Sequence, residues 1–169
     1  MNLEYKNLLP QDFSPFSKVW IYQSSRLFSL GEALELENQI NNFCSQWQSH
    51  GDKVKAFGNL FFGQFIVLMA DDSVSVGGCS TDASVRFIKS LGELYKVDFF
   101  NRTNLAFLIN NKVQVLPLSQ VTYAAENSFL NPDTLYFNNL VQTKKELEEK
   151  WIIPVKDSWL ASKLQTVAK

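Results

Sequence analysis

Ser29 and Glu32 stand three residues apart just ahead of an apolar repeat, and together they say where a helix must begin. A serine hydroxyl at that point can accept from an unpaired N–H of the first turn while the glutamate reaches back to the cap, closing a capping box. Leu36, Ile40, Phe43 and Trp47 then recur at spacings of four, three and four, which is one face of an amphipathic helix. His50-Gly51 is expected to end it, the glycine supplying a left-handed C-terminal conformation.

The segments around this helix read mainly as strands. Val19–Gln23 is β-branched and aromatic. Val54–Phe61, Gln64–Ala70 and Val74–Val76 follow the helix, with Gly58 and Gly63 expected at a bulge or tight turn and Asp71-Asp72 at another. A second helix is predicted over about 82–95, with Val85, Ile88, Leu91 and Tyr95 as its buried stripe and Ser80, Thr81 and Asp82 as capping oxygens. Val97–Phe100 and Leu105–Ile109 are strand candidates, and Asn110-Asn111 should turn a hairpin into Lys112–Leu116. Beyond Pro117 the expectations are a short helix at Ser119–Glu126 and a strand at Thr134–Phe137. A helix opened by Thr143 with Glu146 should end near Trp151, with Pro154 as its breaker and Asp157 capping a last turn through Leu164.

Residues 1–17 read as an N-terminal arm pinned by Phe13 and Phe16, and 18–169 as one α+β domain. The order from Val19 to Ile109 is β-α-β-β-α-β. It predicts a mixed sheet with helices mainly on one face, and a ferredoxin-like core with a C-terminal extension is the most specific architecture it supports.

The chain has 169 residues, enough to bury one hydrophobic core without staples. It is 46% apolar and 20% charged, which argues against global disorder, and 14 Phe with four Trp predict an aromatic core. Its net charge is −1 with no basic run, so nucleic-acid binding is not expected. The longest apolar stretch, Phe65–Ala70, is far short of the ~20 residues that span a bilayer, and the start is not that of a secretory signal. Two cysteines, Cys44 and Cys79, build no disulfide framework. These features predict a soluble, cytoplasmic protein with neither nucleic-acid nor membrane partners.

The segment most suggestive of chemistry is Gly77-Gly78-Cys79-Ser80-Thr81-Asp82. A cysteine just before a helix feels its positive end, which favours thiolate, and neighbouring glycines and free N–H groups could hold an anion. The alternative is a small cysteine packed at a strand-to-helix turn, with Ser80, Thr81 and Asp82 as ordinary caps. Three known motifs fail here: Thr81 replaces the second glycine of a nucleophile elbow, Arg86 is one place too far for Cys-x5-Arg, and there is no Cys-x-x-Cys. His50, the one histidine, is expected at the opposite end of its helix from Cys79 and so is not expected to be its base. One histidine and two distant cysteines make no metal cluster. Gly58–Gln64 has the glycine spacing of a P-loop, but Gln64 and Phe65 replace the lysine and the Ser/Thr that serve phosphate and Mg²⁺, so no nucleotide cofactor is expected. In the tail, Asn138-Asn139, Lys144-Lys145 and Lys156–Trp159 could line a small-molecule or partner site, or form a solvated surface with Trp151 and Trp159 tucked onto the core.

Residues 19–24 (VWIYQS), 47–51 (WQSHG), 77–91 (GGCSTDASVRFIKSL), 138–151 (NNLVQTKKELEEKW) and 154–159 (PVKDSW) resemble a family of short, uncharacterised bacterial proteins, sometimes labelled "ABC transporter ATPase". The resemblance covers about residues 18–160 and implies no catalytic residues. The chain has no Walker lysine and no Leu-Ser-Gly-Gly-Gln signature, so the label's activity is not expected here. The leading expectation for function is binding of a small anionic ligand or a protein partner. The alternatives are a thiol-dependent hydrolase or transferase using Cys79, and a component of a larger assembly.

Overall fold

The computed structural model describes residues 1–71 and 78–165, and side chains over 1–71 and 81–164. Its elements are β1 (Lys18–Gln23), α1 (Leu30–Gln46), β2 (Gln48–Ser49), β3 (Asp52–Lys53), β4 (Ala56–Phe61), β5 (Phe65–Ala70) and α2 (Gly78–Tyr95). They continue with β6 (Asn104–Ile109), β7 (Lys112–Pro117), α3 (Val121–Glu126), β8 (Leu135–Phe137), α4 (Lys144–Lys150), β9 (Ile152–Pro154) and α5 (Ala161–Gln165). The class is α+β.

The strands divide between two principal antiparallel sheets, ordered β1-β5-β4 and β7-β6-β8-β9, with β2-β3 a separate hairpin. This departs from both the mixed sheet and the ferredoxin-like expectation, in which β6 would join the sheet of β1. The reason lies in β5. All six of its side chains are fully buried, so this sheet is apolar on both faces and needs a cover on each.

On one face Ile66, Leu68 and Ala70 meet Leu36, Ile40 and Cys44 of α1 and Ile88 and Leu91 of α2. The two long helices therefore share one face, as the order of segments predicts. On the other face Phe65, Val67 and Met69 meet Ala106, Phe137 and Trp151 of the second sheet region. The second sheet alternates in the same way. Ala106 and Phe137 point to the first sheet, while Leu105, Phe107 and Tyr136 pack outward under α3 and Leu160. The result is a helix–sheet–sheet–helix stack in which each large buried apolar side chain contributes about 1.5–3 kcal/mol.

Local signals place several elements and misplace others. The Ser29–Glu32 box forms in full, with Glu32 N–H on Ser29 Oγ at 3.3 Å and Ser29 N–H on the Glu32 carboxylate at 2.8 Å. The helix ends at Gln46, however, and His50 and Gly51 (φ 53° and 87°) are the turn of the β2–β3 hairpin. Two consecutive positive-φ residues suit a two-residue hairpin turn better than a single helix cap. Asn110 and Asn111 (φ 51° and 61°) make the same kind of turn between β6 and β7.

Gly58 forms no bulge, because its strand keeps register through the Gly58–Leu68 pair. It is instead a point of close approach: a Cβ there would lie 2.5 Å from Ile40 Cγ2 and 2.8 Å from Cys44 Sγ. Val97–Phe100 is not a strand; Val97 and Phe99 are buried, and two hydrogen bonds join Asp98 to Ser25, Ser25 N–H to the Asp98 carbonyl and Asp98 N–H to Ser25 Oγ. Val74–Val76 and Asp72 lie outside the described residues, while Asp71 is buried beside Lys55 at 3.3 Å.

In the N-terminal arm Tyr5, Leu9 and Phe13 are buried, whereas Phe16 is 70% exposed, so Phe13 pins the arm and Phe16 does not. Lys55 and Lys144 fasten the same stretch. Lys55 Nζ bonds the Asp12 carbonyl and sits over the Phe13 ring, and Lys144 Nζ donates to the Phe13 carbonyl. At α4, Thr143 caps Glu146 N–H as expected, but the Glu146 carboxylate takes Gln142 N–H rather than that of Thr143. Pro154 does not break the helix, which ends at Lys150, but closes β9 (Ile152–Pro154) opposite Leu135 of β8, and Ser158, not Asp157, accepts the N–H of Leu160.

Candidate functional site

A cleft of about 390 Å³ opens where the outer edge of β1 meets the second sheet. That volume lies in the range of small-molecule sites, roughly 300–1,000 Å³. Its walls come from β1, the first turns of α2, the 99–104 loop, β8 with the loop after it, and Trp159. Phe100, Leu140 and Trp159 line this cleft with exposed apolar side chains.

One wall is an amide relay whose polarity is forced from one end. The buried indole of Trp151 can only donate, and its Nε1 meets Asn139 Oδ1 at 3.1 Å. Asn139 therefore presents its NH₂ to Gln23, donating to Oε1 at 2.9 Å. Gln23 in turn donates from Nε2 to the Asn104 carbonyl at 3.2 Å. The chain links β1 to β6 and to the turn after β8, so these amides hold the cleft's shape.

The aromatic wall carries two neutral phenols. Burial pushes the Tyr22 hydroxyl up from its ordinary value, against the opposing pull of Ser84 and the Arg102 guanidinium. Burial likewise raises Tyr136, whose oxygen accepts from Trp159 Nε1 at 3.3 Å and so keeps its own proton to donate. The Tyr22 ring meets Phe100 edge-on, with centroids 5.8 Å apart.

Arg102 is the one charged side chain among the described residues lining the cleft, and none of them is a carboxylate. It makes no ion pair with a described residue. A guanidinium with its donors unspent, set beside aromatic faces and amides, can grip an anionic group attached to a planar or apolar body.

The residues singled out from sequence fall on both sides of this boundary. Gly77 lies outside the described residues. Gly78, Cys79 and Ser80 begin α2 and are not a loop ahead of it, and their side chains are likewise not described. Helix α2 starts four residues before the expected 82, and inside it Ser84 Oγ donates to the Thr81 carbonyl at 2.7 Å. Thr81 lines the cleft, whereas Asp82 is exposed and does not. His50 is exposed at its hairpin tip. From the tail, Asn139 and Trp159 line the cleft. Trp159 is thus a cleft residue and not a core anchor, while Trp151 is fully buried. Lys144 serves the N-terminal arm, and Lys156 pairs with Asp133 at 2.6 Å.

Arg102, Gln23 and Tyr22 carry no motif. Tyr22 and Gln23 are neighbours in β1, whereas Arg102 comes from the loop before β6, and only the packing of the two sheets brings it beside them.

A second, shallower hollow of about 620 Å³ lies between α1 and β4 beside Lys53, Lys55 and Cys44. Burial pushes the Cys44 thiol up to about 12, so it offers no nucleophile. No group of three or more His, Cys, Asp or Glu that could hold a metal occurs among the described residues, and no helix among them is long and apolar enough to cross a membrane. Comparison with family models, with curated proteins and with solved structures finds no match to this chain.

Proposed function

We propose that this protein is a binding domain whose cleft takes a small ligand with an anionic group and an aromatic or apolar body. The observation that carries this reading is Arg102, the one charge among the described residues lining a cleft of rings, amides, aliphatic side chains and one threonine. Thr81, in the opening turns of α2, lines the same cleft. The exposed Phe100, Leu140 and Trp159 supply apolar surface for the ligand's body.

The test uses phenyl phosphate and benzoate as anionic probes and benzyl alcohol as the neutral one, followed by NMR of the Trp159 indole and Arg102 side-chain signals. The anions should produce saturable shifts at these positions, and Arg102→Gln should weaken them about tenfold or more, the scale of a lost charge-assisted hydrogen bond. Equal binding of the neutral probe, or no shift at either residue up to millimolar anion, overturns the reading.

A further inference from the structure

Strand β1 is an edge strand, and its hydrogen-bonding directions can be read from two contacts. Ser24 N–H donates inward to the Gln64 carbonyl at 2.8 Å, whereas Val19 N–H donates outward to the Gln142 carbonyl at 2.9 Å. Backbone groups alternate along an antiparallel ladder, so Trp20 and Tyr22 bond toward β5 while Val19, Ile21 and Gln23 face away from it.

Among the described residues, the outward edge is occupied only at its start. Val19 N–H and the Ser17 carbonyl bond the 142–144 segment around the Lys18–Thr143 bridge. That segment then peels away. Gln142 N–H goes to the Glu146 carboxylate, and the N–H groups of Val141 and Leu140 go to Asn138. The outward N–H and C=O of Ile21 and Gln23 have no partner among the described residues, and both residues line the cleft.

The gap is bounded at both ends. Gln142 closes it at Val19, and past Gln23 the chain is tied down by Ser25 N–H on the Asp98 carbonyl and by Gln23's own side chain on Asn104. At about 3.4 Å per residue, the open stretch accepts only some three residues of an added strand. A gap closed at both ends cannot pass the middle of a long strand, but it can take a chain terminus. Arg102 lies two residues before Asn104, at the Gln23 end, and lines the same cleft.

Resting on the anion-binding reading above, the geometry points to the C-terminal end of a peptide as the ligand. Its last residues add to the β1 edge through Ile21 and Gln23, its terminal carboxylate sits on Arg102, and an apolar side chain packs among Phe100, Leu140 and Trp159. Main-chain pairing supplies affinity in such strand addition, while the pocket and the carboxylate clamp supply selectivity.

The test is hydrogen exchange at single amides by NMR on the full chain. The probes are an N-acetylated tetrapeptide library with free carboxyl termini, the same library amidated, and a third with the penultimate amide N-methylated. In the free protein Ile21 and Gln23 amides should exchange far faster than those of Trp20 and Tyr22. The free-acid library should slow Ile21 and Gln23 at least tenfold, and the other two libraries should not. Arg102→Gln should abolish the effect with an unchanged urea midpoint, since this exposed side chain holds no ion pair. If phenyl phosphate and benzoate bind but no peptide protects these amides, the peptide assignment falls and the anion reading stands. If neither binds, both fall. Protection by amidated peptides equal to that by free acids also overturns the assignment, because Arg102 would then have no carboxylate to hold.

Discussion

Asn139 accepts the indole N–H of Trp151 at 3.1 Å, and that one bond fixes the orientation of every amide further along the relay. Trp151 is fully buried, so its donor has no water to fall back on. Asn139→Ala would leave this N–H unpaired and release Gln23 Oε1 as well. An unsatisfied buried polar group costs about 1–3 kcal/mol, and the urea midpoint should fall by that order. The double variant with Trp151→Phe should show coupling between the two sites, and strict additivity would refute the link.

The contact of Gly58 with Ile40 makes a second quantity measurable. A methyl group added at Gly58 would sit 2.5 Å from Ile40 Cγ2 and 2.8 Å from Cys44 Sγ, closer than packed atoms can lie. Gly58→Ala should therefore destabilise by about 1–3 kcal/mol, the usual cost of overpacking. Cys44→Ala in the same chain should recover part of the loss. A Gly58→Ala variant as stable as the parent would mean that α1 does not press on β4 at this point.

How much of this was legible in the sequence depends on how far each signal reaches. The Ser29–Glu32 box and the Asn110-Asn111 turn are decided within four residues, and both are where local chemistry puts them. Gly58 and His50-Gly51 were visible as special positions, but their roles depend on what packs nearby. Gly58 looks like a bulge until α1 is known to cross it, and Gly51 looks like a helix cap until β3 is known to follow. The two-sheet arrangement turns on Phe65–Ala70, a run whose double-sided burial needs a second sheet made largely from residues after 103. The cleft was least legible. Locally, Thr81 reads as a helix cap or part of an anion site, and Asn139 and Trp159 as a tail site or a solvated surface, but nothing local marks Arg102 or the free edge of Ile21.

Glu32 gives a pH signature. Arg26, in a two-pronged bond at 2.8 and 3.0 Å, pulls the Glu32 carboxyl down to about 2, helped by the Ser29 backbone. A depressed carboxyl stabilises the fold above its unfolded value near 4.5, and that contribution is lost as pH falls toward 2. The same Arg26 donates to the Tyr95 carbonyl at 2.9 Å, so protonating Glu32 also loosens the tie between the start of α1 and the end of α2. Thermal midpoints measured from pH 6 to pH 2 should fall less steeply in Glu32→Gln than in the parent. Parallel curves would show that this pair carries none of the acid sensitivity.

Cys44 gives the opposite signature at high pH. Its thiol is buried against Gly58 and raised to about 12, while an unfolded cysteine ionises near 9. Between those values the folded chain holds a proton that the unfolded chain has lost, so this residue favours unfolding increasingly as pH rises from 9 to 12. Alkylation reads the same fact kinetically. In a Cys79→Ser background, iodoacetamide at pH 8.5 should modify Cys44 only as fast as the protein opens, because the thiolate is the nucleophile and the folded site suppresses it. The rate should rise steeply with urea and track the unfolded fraction. Gly58→Ala should accelerate it, since crowding Sγ lowers the cost of opening the α1–β4 contact. Fast modification in the native state, independent of urea, would place Cys44 outside the α1–β4 interface and undo the packing assigned to that face of the sheet.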